Sequence, residues 1–134
     1  MTSKPIYLQW VAVPTVNNFD CNQAYKKKAL KSIEITSSMI CAGHPDGGVD
    51  SCQEDSGGPF ICTNNGKAVL TGVVSFGYGC GDPKFPGVYA RQTAVLDWVK
   101  ANMVSICFNH FTVNVIPSVN KIKIFEFDSS LGPN

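Results

Sequence analysis

Ten consecutive residues, Asp50-Ser51-Cys52-Gln53-Glu54-Asp55-Ser56-Gly57-Gly58-Pro59, set the terms for the rest of the chain. They form a glycine-rich turn in which a serine stands between an acid and two glycines, with a cysteine close by to tie it down. That is the make-up of a nucleophile loop. Strand signals lie on both sides. The apolar runs Pro59 to Thr63 and Ala68 to Phe76 flank Asn64-Asn65-Gly66, and Asn-Gly between apolar runs is a strong hairpin signal. Ile6 to Val13 reads as a strand ended by Pro14, and Pro86 to Arg91 as a later one. Thr93 to about Met103 reads as an amphipathic helix carrying Val95, Trp98, Val99, Asn102, Met103 and Ile106 on one side.

Composition narrows the class. With 134 residues, 12 glycines, 8 prolines and 6 cysteines, the expectation is one compact, strand-rich, disulfide-bearing domain. A net charge of +1 gives no footprint for nucleic acid. The basic cluster Lys26-Lys27-Lys28 with Lys31 is a solvated face, and no apolar run is long enough to span a bilayer. The cysteines include no Cys-x-x-Cys pair, which argues for disulfides in an oxidising compartment and against a metal. Met1 to Val13 makes a poor signal peptide, because Gln9 interrupts its apolar stretch and no small-residue cleavage site follows. Gly77-Tyr78-Gly79-Cys80-Gly81 imitates a phosphate-binding loop, yet no helix follows it and no βαβ unit surrounds it. No cofactor is expected.

Local signals complete the pass. Asp20, with Gln23 three residues on, reads as a helix N-cap, and Ile33 to Cys41 as an ordered loop running into a strand. Ala42 to Gly48 is turn chemistry, which makes His44 a surface residue. Beyond residue 104, Phe111, Val113 and Val115 alternate, as do Ile122 and Ile124, so short strands are expected there. Asp128 to Asn134 reads as a frayed end.

The run from Asp50 to Pro59 resembles the signature around the reactive serine of trypsin-like (chymotrypsin-family) serine proteases, Asp-Ser-Cys-Gln-Gly-Asp-Ser-Gly-Gly-Pro. Only Glu54 departs from it. Signature spacing extends the resemblance over roughly residues 6 to 104. It implies an all-β fold: part of the second six-stranded barrel of such enzymes, closed by a C-terminal α-helix. The domain is then 1–104, and 105–134 is a tail unlike anything the family carries. Without the opening strands of that barrel, open edges and poor solubility are expected. The resemblance pairs Cys21 with Cys41 and Cys52 with Cys80. Cys62 is then free or bonded to Cys107.

What the resemblance implies about chemistry is specific. Ser56 is the nucleophile, and the backbone N–H groups of Ser56 and Glu54 form the oxyanion hole. A side chain at 54 penalises a positive φ, and its carboxylate repels a developing oxyanion. Asp55 is the acid that pairs with a new α-ammonium in the activated enzyme. Asp50 lies at the base of the primary pocket, between the side-chain-free walls Gly77 and Gly87. A carboxylate there selects a substrate with Arg or Lys before the scissile bond. Ser75-Phe76-Gly77 supplies the edge that pairs with substrate backbone, Tyr89 lines the wall, and Ser51 and Gln53 stand on the substrate side of the loop.

A serine hydroxyl needs a base, and in this family the histidine and the aspartate precede it. None of the 55 residues before Ser56 resembles the family's Ala-Ala-His-Cys, and His110 lies in the tail. The expectation is a trypsin-like endopeptidase half that is inactive alone and needs a separate chain to supply both groups. The rival readings are a non-catalytic homologue that binds basic peptides through Asp50, and a gene fragment without independent function. The family and the cysteines place the protein outside the cell.

Overall fold

The structure is a computed structural model that describes residues 7, 9–27, 33–103 and 122–125. One antiparallel sheet organises it. In chain order the elements are β1 (Trp10–Val13), β2 (Thr15–Val16), α1 (Asn18–Lys27), β3 (Met39–Ala42), β4 (Pro59–Asn64), β5 (Lys67–Phe76), β6 (Gly87–Arg91), a 3₁₀ turn (Gln92–Ala94), α2 (Leu96–Asn102) and β7 (Ile122–Phe125).

The hairpin forms where Asn-Gly asks for it. Asn64 pairs with Lys67 across Asn65-Gly66, whose φ values of 46° and 76° are the left-handed pair that such a two-residue turn needs. Pro14 interrupts a strand without ending its pairing. Before it β1 pairs with β7, and after it β2 pairs with β3, while Gly43 N–H donates to the Pro14 carbonyl at 3.0 Å. The sheet order β1-β7-β4-β5-β6-β3-β2 therefore begins and ends on consecutive segments of chain, and the sheet comes round on itself as a barrel does.

Side chains from five strands meet inside that ring. Val13, Ile40, Ala42, Phe60, Cys62, Val74 and Tyr89 form one buried cluster. A second cluster joins α1 to the sheet through Tyr25, Ile35, Phe85, Val88 and the Cys21–Cys41 disulfide. Tyr25 is fully buried and its hydroxyl donates to the carbonyl of Pro86 at 2.8 Å. Arg91, at the end of β6, donates to the carbonyls of Ser37 and Met39 and fastens the loop before β3.

Three expectations need correction. The N-cap of α1 is Asn17, not Asp20: Asn17 Oδ1 accepts the Asp20 N–H at 2.8 Å, and Asp20 sits inside the first turn, where its carboxylate accepts from the Asn17 amide. Asn17→Ala should lower stability by about 1 kcal/mol in thermal unfolding. The terminal helix starts later than periodicity suggests, after a 3₁₀ turn that shifts its phase. Leu96 is buried, Val99 and Met103 are half-buried, and Val95 and Trp98 face solvent, at 43% and 69% exposure. Ile106 lies outside the described residues. Finally, where open edges are expected, β7 covers one side of β4 and one side of β1, while the other side of β1 has no ladder neighbour among the described strands. The strand expected at 111–115, Cys107 and the frayed end lie outside the described residues.

Candidate active site

The loop of residues 50–58 is anchored at both ends on one patch of sheet. At its far end Gly57 N–H donates to the Val74 carbonyl at 3.0 Å, and Val74 N–H returns to Gly58 at 2.9 Å. At its near end the Ser51 hydroxyl is 3.1 Å from the hydroxyl of Tyr89. Val74 and Tyr89 are direct partners across β5 and β6. The two ends of the loop therefore rest on the neighbouring strands β5 and β6. The Cys52–Cys80 disulfide, with Cα atoms 5.3 Å apart, fastens the middle of the loop to the Gly77–Gly81 turn.

Asp50 is half-buried and held by backbone amides. Its Oδ1 accepts the N–H of Ser51 at 2.8 Å and its Oδ2 accepts that of Gly81 at 3.2 Å. Burial raises its pKa above the ordinary carboxylate value, and those two amides work against the rise. Gly87 lies hard against it. A methyl group built on Gly87 would stand 2.7 Å from Asp50 Oδ1 and 3.1 Å from the Tyr89 hydroxyl, so a side chain there would displace the Asp50 carboxylate. Gly77 is less crowded, with its nearest backbone neighbour at 3.6 Å.

Ser56 is exposed, and among the described residues its hydroxyl has no hydrogen-bond partner. Glu54 has φ of 79°, a conformation L side chains disfavour. Asp55 turns onto its own loop: its Oδ2 accepts the Cys52 N–H at 2.6 Å, while its own N–H donates to the Cys52 carbonyl at 3.1 Å. Among the described residues no cation pairs with it. Gln53 is exposed.

Ser75 falls at a register shift between Val74 and Phe76. On the β4 side the ladder ends at Pro59↔Val73 and the loop amides at Val74; beyond them, among the described strands, β5 continues only against β6, at Phe76↔Val88. Phe76 packs edge-on against Tyr25 with ring centroids 6.1 Å apart. Tyr89 is fully buried and stacks on Phe60 at 4.3 Å, and burial raises its phenol pKa strongly. His44 is far from this chemistry in its contacts. It lies on a turn 3.7 Å from Asp46 and lines a separate hollow with Pro14, Asp20 and Pro83.

Three contributors escape a reading of sequence. Tyr25, whose phenol burial pushes up to about 12, pins Pro86 and with it the approach of Gly87. Gly81 gives Asp50 an amide from across the disulfide. A hollow of about 350 Å³ is lined by Trp10 and Val11 together with Val49, Asp50, Ser51 and Asp55. The one available signal was Tyr25, an aromatic four residues after a cysteine, on the same side of the helix.

The family model described as trypsin matches residues 2–99. The chain belongs to the trypsin family. It is 49% identical over 100 residues to Trypsin-1 of Astacus astacus, covering 75% of this chain and 40% of that protein. It is 50% identical over 97 residues to Transmembrane protease serine 9 of Rattus norvegicus, covering 72% of this chain and 9% of that one. With Trypsin Tyr p 3.0101 of Tyrophagus putrescentiae it shares 45% identity over 115 residues, 85% of this chain and 38% of the relative. The chain thus spans well under half the length of these trypsin-family relatives. Two disulfides are formed, and among the described residues no helix is long and apolar enough to cross a membrane.

Proposed function

We propose that the chain carries the nucleophile and primary pocket of a trypsin-like serine endopeptidase that cleaves after Arg or Lys. The observation that carries this reading is the carboxylate of Asp50, held by the Ser51 and Gly81 amides against Gly87, on the same anchored loop as Ser56. Ser56 attacks the scissile carbonyl, and the Ser56 and Glu54 amides receive the oxyanion. Gly77 and Gly87 admit the long basic side chain. The free edge at Ser75–Gly77 takes the substrate backbone, with Ser51 and Gln53 beside it. Tyr89 acts from the core, setting Ser51. Residues 1–104 form this unit and 105–134 are appended to it. Its disulfides fit an extracellular setting.

Proton transfer is the step these residues do not supply. His44 is engaged elsewhere, and none of the residues before Ser56 resembles the family's histidine motif. Residues 1–134 by themselves should therefore be near inactive, and the histidine and aspartate would have to come from outside them, as from a separate chain. For enzymes of this family stripped of their triad partners, the acceleration left is on the order of 10³ to 10⁴ over water, a magnitude that belongs to the family at large.

Glu54 favours a second reading. Its φ of 79° places a side chain where the resemblance puts glycine, and a carboxylate there opposes oxyanion charge. That suits a non-catalytic homologue that binds basic peptides. One experiment separates the two. The chain should bind benzamidine, and an arginyl phosphonate should label Ser56 only after a chain carrying the histidine and aspartate half is added, with Ser56→Ala never labelled. Benzamidine binding without labelling under both conditions selects the binding homologue. Neither binding nor labelling overturns both readings and leaves a fragment without function of its own.

A further inference from the structure

Among the described strands β1 has a single ladder neighbour, β7, and β4 has β5 on one side and β7 on the other. The alignment is residue for residue. Trp10, Val11, Ala12 and Val13 oppose Phe125, Ile124, Lys123 and Ile122, and Phe60, Ile61 and Cys62 oppose Ile124, Lys123 and Ile122. β7 lies beyond residue 99, where the match to the trypsin family model stops. Without it, the facing amides and carbonyls of β1 and β4 lose their ladder partners among the described strands.

We infer that residues 122–125 are a built-in closing strand, which completes the barrel from outside the family-matched region and, by holding β1, fixes the Trp10 and Val11 lining of the hollow that Asp50 and Asp55 share. Three observations carry this. Val13 of β1 and Phe60 and Cys62 of β4 share one buried cluster, so the two strands β7 joins already face a common interior. Trp10 and Val11, which line the same hollow as Asp50 and Asp55, sit on the strand whose one ladder partner among the described strands is β7. The sequence Lys121-Ile122-Lys123-Ile124 alternates charged and apolar residues up to Phe125, the pattern of a strand with one buried face. The inference concerns the barrel and its wall, and it holds or fails independently of any proteolytic activity.

Cys62 supplies the test, because it is a free, buried thiol directly opposite Ile122. Ile122→Cys in the full chain, with Cys107→Ala to remove competition, should form an intrachain disulfide between Cys62 and position 122, read by peptide mapping under non-reducing conditions. Lys123→Cys, one residue out of register, should not. Ile124→Pro withdraws an amide from the middle of β7. It should speed alkylation of Cys62 by iodoacetamide and hydrogen exchange at Val11 at least tenfold, whether the strand releases locally or the fold opens as a whole. A bond to position 122 found only between two chains, no bond at all, or wild-type alkylation and exchange in Ile124→Pro would each overturn the inference.

Discussion

Phe60→Ala should lower the stability of the chain by about 3–5 kcal/mol, read as a fall in urea midpoint at unchanged slope. Phe60 is fully buried, and its ring stacks on Tyr89 with centroids 4.3 Å apart. Gly72 leaves room for that stack: a methyl group there would sit 3.2 Å from the Phe60 ring and 3.1 Å from the Ala90 carbonyl. Such tight surroundings leave little freedom to collapse into the vacated space, so the loss belongs at the upper end for a core truncation. A domain of this size is stable by only about 5–15 kcal/mol, so much of its margin disappears. The site should suffer first, since Tyr89 holds Ser51 and its strand partner Val74 holds Gly57 and Gly58. Phe60→Leu keeps most of the volume and should lose markedly less. A loss below about 1 kcal/mol for the alanine variant would mean that this stack does not organise the core.

Asp50→Asn should weaken benzamidine binding at least about 30-fold, the lower end for removing one partner of a buried, hydrogen-bonded charge pair. The asparagine keeps the shape beside Gly87 and removes the charge. The pH dependence gives an independent check. Burial raises the Asp50 pKa above the ordinary carboxylate value, so the anion that an amidinium needs is lost as pH falls through that raised value. Wild-type affinity should therefore drop towards acid pH sooner than for an exposed carboxylate, and Asp50→Asn should be flat over the same interval. The linkage to stability has the opposite sense. A proton held more tightly in the folded chain than in the unfolded one stabilises the fold below the ordinary carboxylate range, and that contribution fades as pH rises through the raised value. Titration calorimetry across pH measures the first effect and urea midpoints the second. Equal benzamidine affinity in wild type and Asp50→Asn would remove Asp50 from the pocket.

Together these variants separate two roles that meet on one loop. Phe60 and Tyr89 lie in the core and act on Ser51 and the loop through packing and one hydroxyl contact. In the proposed pocket Asp50 acts through charge, and its position is set by two backbone amides and the closeness of Gly87. Loss of stability without loss of intrinsic affinity, and the reverse, are distinguishable outcomes.

Residues near one another in the chain determined much of this. The Asn65-Gly66 turn acts over a few bonds, and the run from Asp50 to Pro59 repeats a known signature; the hairpin stands where the turn indicated, and both disulfides stand where the resemblance to trypsin-like proteases implied them. The tertiary structure decided whatever depends on distant partners. Cap choice between Asn17 and Asp20 turned on which side chain met the amide, and the face of α2 turned on a 3₁₀ turn that shifted its phase. Only the fold could set Tyr25 on Pro86, Gly81 on Asp50 and Phe60 on Tyr89, since each contact joins segments far apart in sequence. The alternation at Ile122 and Ile124 announced a strand, but its pairing, between β1 and β4, was fixed by which edges lacked a neighbour. A local pattern specifies that a strand can form, and long-range backbone hydrogen bonding specifies where it goes.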